Sequence, residues 1–493
     1  MSHKQPEYAP FPLETLGENI VKNATIISQY LKSQNLPQPS LEVDGPTTLL
    51  PNDSPQCVRQ ARQDLLSAAL QILNLTTGPS EYLPNLATGW LCEYDIFSVV
   101  PLTGTISYED LATAAGVPEQ RLKSITRMAM TSGLFREDAS GKLLGHSATS
   151  KLFASNGDLY AYAKYMCFQS APMAMQMTAA SRQWGAHTLR PNETAYNVAF
   201  GTDLPFFDHI KSDEARTAKF AAYMRNVRSS EAVDLKHLVD GFEWGSILPS
   251  GLVVDVGGST GAAAVALAKA FPQLSFIVQD LPSNVERGRK DAIQTLAAEV
   301  ASRVAFQAHD FNEAQPTKGA EVYLLRMILH DWPDAAAVRI VHNLADAMDK
   351  KKSRLLIMDT VLMEPGELPL SMERLVRVRD LTMLQAFNSQ ERDLDSWQSL
   401  IGKVDPRLHL RTVSQPYGST LSILEYAYEE MQTSGTSAET KGLREVQLSP
   451  WKSPGHVHFG KLTVESAQKA SQLLTINHTG FHTRWKSTFH STL

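Results

Sequence analysis

Four acids and one histidine stand at the ends of apolar runs in the second half of this 493-residue chain: Asp255, Asp280, Asp310, His330 and Asp359. In an open α/β sheet, ligands bind outside the carboxyl ends of the strands, so residues there face the ligand. An acid in that place can hold a ribose diol. A histidine, with an unperturbed pKa near neutrality, can take a proton from a reacting hydroxyl. A lone histidine could equally cap a helix or pack in a core, so the reading of His330 depends on its surroundings.

The glycines between the first two acids narrow the ligand. Leu252-Val-Val-Asp-Val-Gly-Gly-Ser-Thr-Gly261 runs from a buried strand into a glycine turn and an alanine-rich helix. A second apolar strand, Leu274 to Val278, leads to Asp280. A dinucleotide site needs Gly-x-Gly-x-x-Gly so that a pyrophosphate can rest on a helix N-terminus. Counted from Gly257, Ser259 and Ala262 occupy the second and third required glycine positions. Asp255, at the end of the first strand, would repel a pyrophosphate but suits a ligand with an amino group and a sulfonium. Asp-x-Gly-x-x-x-Gly followed by an acid after the next strand therefore reads as an S-adenosylmethionine site.

The elements that must position these residues form a repeating pattern. Strands are predicted at Leu252–Val256, Leu274–Val278, Arg303–Gln307, Val322–Met327 and Leu355–Met358, with helices between them and a β-rich end at Ser419–Glu425. Such alternation gives a parallel, doubly wound sheet from about Gly251. His330 follows the apolar run and precedes Asp331-Trp332-Pro333-Asp334, where Pro333 suits the first turn of a helix.

Upstream, helical periodicity spans Leu13 to Leu31. It returns at Ala61 to Leu75, with Leu65, Leu66, Ala69, Leu70 and Leu73 on one face. A helix at Tyr108–Ala115, a turn at Gly116-Val117-Pro118 and a helix through Met130 precede a hairpin from Leu134-Phe135-Arg136 to Leu143-Leu144, a winged-helix pattern. Leu152 to Trp244 reads as helical, with Met166, Met173, Met175 and Met177 as adaptable core. The tail after Met431 is polar, lacks Asp and has no periodicity, which predicts disorder. Its His456, His458, His478 and His482 have no accompanying Cys or carboxylate cluster and are not read as a metal site.

Composition excludes several function classes. The chain is 43% hydrophobic and 20% charged, as in soluble globular proteins. A net charge of −6 argues against nucleic acid as a partner, and the cations Arg121, Lys123 and Arg127 are balanced by nearby acids. Cys57, Cys92 and Cys167 form no metal or redox spacing, and no leader or membrane-length apolar run is visible. A cytoplasmic protein without a membrane partner is expected. The sequons at Asn23, Asn74, Asn192 and Asn477 then read as chance.

With these motifs in this order, the chain resembles the plant-type, caffeic-acid-like S-adenosylmethionine-dependent O-methyltransferases, particularly their fungal secondary-metabolism branch. The likeness covers roughly Cys92 to Tyr428. It rests on His146-Ser-Ala-Thr-Ser-Lys-Leu-Phe153, Phe220-Ala-Ala-Tyr-Met224, Asp255–Gly261 and Gln279-Asp-Leu-Pro282. It continues through His309-Asp-Phe311, Leu329-His-Asp-Trp-Pro-Asp334 and Phe387-Asn-Ser-Gln-Glu-Arg392.

The resemblance implies a Rossmann-like class I methyltransferase domain preceded by a helical, winged-helix dimerisation domain, and therefore a homodimer. The expected divisions are 1–90 and 91–155 for dimerisation, 156–245 for the substrate-pocket region, 246–430 for the cofactor domain and 431–493 for the tail. It implies that His330 is the general base, held by Asp359 and Glu391; Asp359 stands where many relatives carry Glu. Gly257 and Gly258 would contact the methionine end of the cofactor and Asp280 the ribose, while Asp310 and Phe311 would bracket the adenine. Arg326 takes a cofactor-binding position often held by Lys, and Phe220, Met224 and Asn388 line the acceptor pocket. Ser259 replaces a common glycine, which costs roughly 1–2 kcal/mol if its φ is positive. The acceptor would be a phenol of an aromatic or polyketide-type metabolite. Some fungal relatives of this fold bind the cofactor but catalyse pericyclisation or dehydration; His330 with Glu391 behind it favours methyl transfer.

Overall fold

The computed structural model describes residues 13–39, 46, 48–51, 54–77, 87–368 and 370–428. Expectations for the tail, its histidines and Asn477 lie outside the described residues.

Two long helices open the chain, Leu13–Ser33 and Gln56–Thr77. They pack through Ile27 and Leu31 against Val58 and Ala61, each on the apolar stripe of its helix. A small antiparallel sheet follows, made of β1 (Ile106–Ser107), β2 (Arg136–Glu137) and β3 (Leu143–Gly145) in the order β1-β3-β2. The helices Tyr108–Ala115 and Glu119–Met130 lie between β1 and β2. Ser107 caps the first by accepting from the Asp110 amide, and Gly116 ends it at φ +65°. Phe97, Leu111, Leu122, Leu144 and Phe153 fill the core of this unit. Its cations are engaged: Arg127 pairs with Glu137 at 2.7 Å and Lys123 with Glu119 at 2.6 Å.

The region from 157 to 229 is mainly helical. Of the methionines read there as core, Met173 is buried, whereas Met175 is 80% exposed.

The α/β unit holds a seven-stranded sheet in the order β11-β12-β8-β7-β4-β5-β6. Its strands are β4 (Leu252–Val256), β5 (Ser275–Asp280), β6 (Val304–Ala308), β7 (Val322–Arg326), β8 (Arg354–Asp359), β11 (Leu408–Ser414) and β12 (Ser422–Tyr428). The short strands β9 (Val361–Leu362) and β10 (Arg392–Asp393) form a separate parallel pair. The five strands β4 to β8 run parallel, and β4, β7 and β8 read as near-continuous Val/Leu/Ile runs because helices cover both faces. One face is filled by Leu325, Leu344, Ile357, Trp397 and Leu424, the other by Trp244, Val253, Leu267, Phe276 and Leu324.

The β-rich end that closes the sheet is antiparallel. β12 lies antiparallel to both β8 and β11. Residues 415–421 alone join β11 to β12, and a parallel crossover needs a dozen or more residues. Every parallel strand ends its carboxyl terminus at one edge, where the glycine turn, Asp280 and Asp359 collect.

Candidate active site

β7 is shorter than its apolar run. Met327 takes φ +55°, which ends the strand at Arg326, and the chain enters a single 3-10 turn, Leu329–Asp331. His330 sits on that turn, buried, beyond the strand terminus proper. Its Nδ1 lies 3.0 Å from Glu391 Oε1 and 3.7 Å from Asp359 Oδ1, and its Nε2 lies 3.7 Å from Asp331 Oδ1.

The two acids read as holding the base have different tasks. Glu391 makes the direct hydrogen bond to the ring, which fixes the tautomer with the proton on Nδ1 and leaves Nε2 for an acceptor. Asp359 reaches the ring only at the longer distance, and its Oδ2 accepts from the Leu329 amide at 3.2 Å, so it fixes the backbone under the histidine. Glu391 is brought there because β10 pairs with β9 immediately after β8, with Arg392 opposite Val361. Its own amide donates to Asp380 Oδ1 at 2.9 Å.

Burial by itself lowers the imidazole pKa, but Asp359, Glu391 and Asp331 outweigh it and raise the group to about 10. Burial also raises Asp359 to about 7 and Asp331 to about 6, in each case against the pull of His330. The three acids thus favour the protonated ring more than burial alone would allow.

Arg392, present in the quoted motif but assigned no role from sequence, locks this turn. It is 1% exposed and donates to the Leu329 carbonyl (3.0 Å), the Trp332 carbonyl (2.8 Å) and Asp334 Oδ1 (3.0 and 3.1 Å). It therefore clamps the carbonyls on both sides of His330. Its guanidinium also lies 5.1 Å from the Trp397 ring centroid.

The glycine turn lies at the same edge. Gly257 has φ +72°, a conformation that favours glycine, and a Cβ there would lie 2.7 Å from Ile328 Cδ1, crowding the residue that leads into the His330 turn. A Cβ on Gly258 would lie 2.5 Å from Asp255 Oδ2. Ser259 takes φ +56°, the strained conformation anticipated for it. Asp280 Oδ2 accepts from the Ser259 amide at 2.8 Å, and its Oδ1 accepts from the Leu281 amide and Asn284 Nδ2, both at 2.7 Å. This carboxylate ties the turn to the end of β5.

The O-methyltransferase domain family matches residues 184–404. The chain is 60% identical over 422 residues to "O-methyltransferase pgmB" of Aspergillus terreus, covering 84% of this chain and 95% of that protein. The chain belongs to the O-methyltransferases. Among solved structures it matches "Structure of the Mitomycin 7-O-methyltransferase MmcR" with a TM-score of 0.58 and 23% identity, over 75% of this chain and 100% of that one. It also matches "A Pericyclic Reaction enzyme" with a TM-score of 0.59 and 21% identity, over 84% and 100%. At these identities the two structures share the fold alone.

The methyl donor of this O-methyltransferase is S-adenosylmethionine, and its residues fit that group. Asp255 Oδ2 is buried under the glycine turn without a hydrogen-bond partner among the described residues, which suits the amino end of the donor. Burial raises Asp255 to about 6 against the pull of Arg326. Arg326 donates through Nη2 to the Val233 carbonyl, while its Nε is buried without a described partner. Arg228, which the sequence did not single out, is exposed to solvent and acts electrostatically on Asp280 and Asp255 from the end of helix Glu214–Ser229. Phe311 is half-buried, meets Trp332 edge-on at 5.7 Å and lies near Gly257, while Asp310 is exposed and its Oδ1 accepts from Asn312.

On the acceptor side, Phe220 and Met224 are half-buried on the helix Glu214–Ser229. Phe220 belongs to an aromatic group with Tyr165, Phe206 and Tyr223, at centroid distances of 6.1, 5.4 and 6.3 Å. Asn388, read as a pocket residue, is buried and has a tethering task. Its Nδ2 is taken up by the carbonyls of Arg190 (2.8 Å) and Glu193 (3.1 Å), so it ties the 190–193 loop to the end of helix Leu370–Phe387. Tyr223 lies within the Phe220–Met224 motif, whereas Tyr162 and Tyr165 carry no sequence signal of their own, because an aromatic on a helix reads as core.

Proposed function

We propose that this S-adenosylmethionine-dependent O-methyltransferase acts on a phenolic hydroxyl of a small aromatic, polyketide-type metabolite, with His330 as general base. The observation that carries this reading is the Nδ1–Glu391 bond, which leaves Nε2 as the ring atom available to a hydroxyl. When bound, S-adenosylmethionine supplies an electrophilic methyl group. Gly257, Gly258 and Asp255 would receive its methionine end, Asp280 its ribose hydroxyls, and Asp310 and Phe311 its adenine, with Arg326 contributing a charge beside Asp255. Phe220 and Met224 orient the acceptor, and orientation can contribute about 7–11 kcal/mol to the barrier reduction. His330 Nε2 takes the phenol proton, and Glu391 and Asp359 stabilise the imidazolium. A phenol with a pKa of about 10 is a poor nucleophile until that proton moves.

Incubation of the protein with methyl-labelled cofactor and a panel of phenolic polyketides tests the reaction. Labelled product and S-adenosylhomocysteine are expected in equal amounts. An acceptor consumed without label, by ring closure or loss of water, would overturn the reading.

We also propose a homodimer built on the N-terminal helices. On Gln56–Thr77, Leu66, Leu70 and Leu73 form one stripe opposite the buried Val58 and Ala61, and Leu70 and Leu73 are 59% and 56% exposed. An apolar stripe of this kind suits a second copy. Sedimentation should give a dimer for the native chain and a monomer for Leu70→Glu/Leu73→Glu; a native monomer would refute the assignment. Among the described residues, no helix is long and apolar enough to cross a membrane.

A further inference from the structure

The helix Leu370–Phe387 carries a positive charge that the base machinery leaves uncommitted. Arg379 is half-buried, and its one described hydrogen bond runs from Nη1 to the Thr420 hydroxyl. A guanidinium has five N–H donors and no acceptor, so most of this fork is unspent. Among the described residues, no carboxylate forms an ion pair with it, although Glu391 lies close enough to act on its charge. Withdrawing a cation from water without pairing it is costly, which makes such a group a preformed anion site. The other ionisable groups that face it are Tyr223 and Tyr162.

Those tyrosines form a planar wall. The Tyr162 and Tyr223 rings stack at 5.7 Å with an interplanar angle of 5°, and Tyr165 stacks on Tyr223 at 4.0 Å and 18°. None of their three hydroxyls has a hydrogen-bond partner among the described residues. Three helices supply this arrangement: Gly157–Tyr165, Glu214–Ser229 and Leu370–Phe387. The stacked rings favour a flat aromatic face. The next residue, Asp380, accepts from the Glu391 amide at 2.9 Å, so Arg379 lies on the stretch of helix that meets the acid bonded to His330.

We propose that the acceptor pocket selects a planar aromatic ring bearing an anionic oxygen, a carboxylate or ionised enol, near the hydroxyl to be methylated, and that Arg379 holds that oxygen. The proposal rests on the reading of His330 and Glu391 as the reacting end of the same crevice. Arg379 then fixes which hydroxyl of a polyhydroxylated ring reaches Nε2. A planar fork can take two oxygens of one carboxylate at once, which an ammonium cannot reproduce.

Equilibrium binding to protein loaded with S-adenosylhomocysteine tests it with two probes, 3-hydroxy-2-naphthoate and 2-naphthol, which differ by the carboxylate. The native protein should bind the naphthoate at least about ten-fold more tightly. Arg379→Met should remove that preference and leave 2-naphthol binding within about two-fold, and Arg379→Lys should keep part of it. Equal binding of both probes by the native protein would overturn the proposal. So would a parallel loss of both in Arg379→Met, or a full preference retained there. If Arg379→Met does not fold, the native comparison and Arg379→Lys still decide the matter. Failure of the methyl-transfer reading would show in the labelled-cofactor assay and not in this binding ratio.

Discussion

Replacement of His330 by alanine should lower methyl transfer roughly a thousand-fold while leaving the affinity for S-adenosylmethionine nearly unchanged. The ring is buried among Glu391, Asp359 and Asp331 on a turn of its own, whereas the proposed donor site uses the glycine turn and Asp280, which are tied to each other. Asp280→Ala should do the opposite and weaken the donor by about 2–3 kcal/mol, because charge-assisted hydrogen bonds to two ribose hydroxyls are lost. Part of that loss comes from the glycine turn itself, which Asp280 ties through the Ser259 amide. Calorimetry and turnover on both variants separate the roles; a His330→Ala protein that no longer binds the donor would sink this division.

The charge state of the ring adds a pH signature. With the imidazole raised to about 10, the proton is held at neutral pH and the basic form grows only as pH climbs toward that value. In the native enzyme, kcat/KM should therefore rise with pH between about 7 and 9 instead of levelling off above 7. The same shift makes the proton on His330 a stabilising one. Its contribution is complete below the unfolded pKa of about 6.5 and fades as pH rises through about 10.

Arg392→Met should cost about 3 kcal/mol of folding stability and most of the activity. The guanidinium is enclosed, and its removal strands the carbonyls of Leu329 and Trp332 on either side of His330. The ion pair with Asp334 contributes less, since that side chain is 44% exposed. Lysine cannot span three acceptors from one atom, so Arg392→Lys should rescue little. The expected pattern is a lowered denaturation midpoint together with a fall in kcat that exceeds any rise in KM. Native stability and native kcat in Arg392→Met would show that the base turn holds its shape without the clamp.

Much of the donor site was legible along the chain because its determinants are local. A positive φ at Gly257, an acid at the end of the next strand and a Val/Leu run before each are consequences of residue type and spacing over some thirty positions. The sequence accordingly determined the doubly wound sheet, the glycine turn, Asp280 at its edge and a histidine after the fourth parallel strand. It left the sheet's far edge open, since the sense of β12 depends on the short link to β11 and on which strand it lies beside.

Tertiary structure alone decided how the base is held. Glu391 is 61 residues from His330 and meets it only because two-residue strands pair after β8. The same pairing buries Arg392 against the turn, and the Tyr162 and Tyr223 rings stack because two helices distant in sequence meet there. Periodicity places a residue on a face of its own element, but it does not reveal which faces meet. For His330 that meeting sets the charge, since burial alone would lower its pKa and the neighbouring acids raise it.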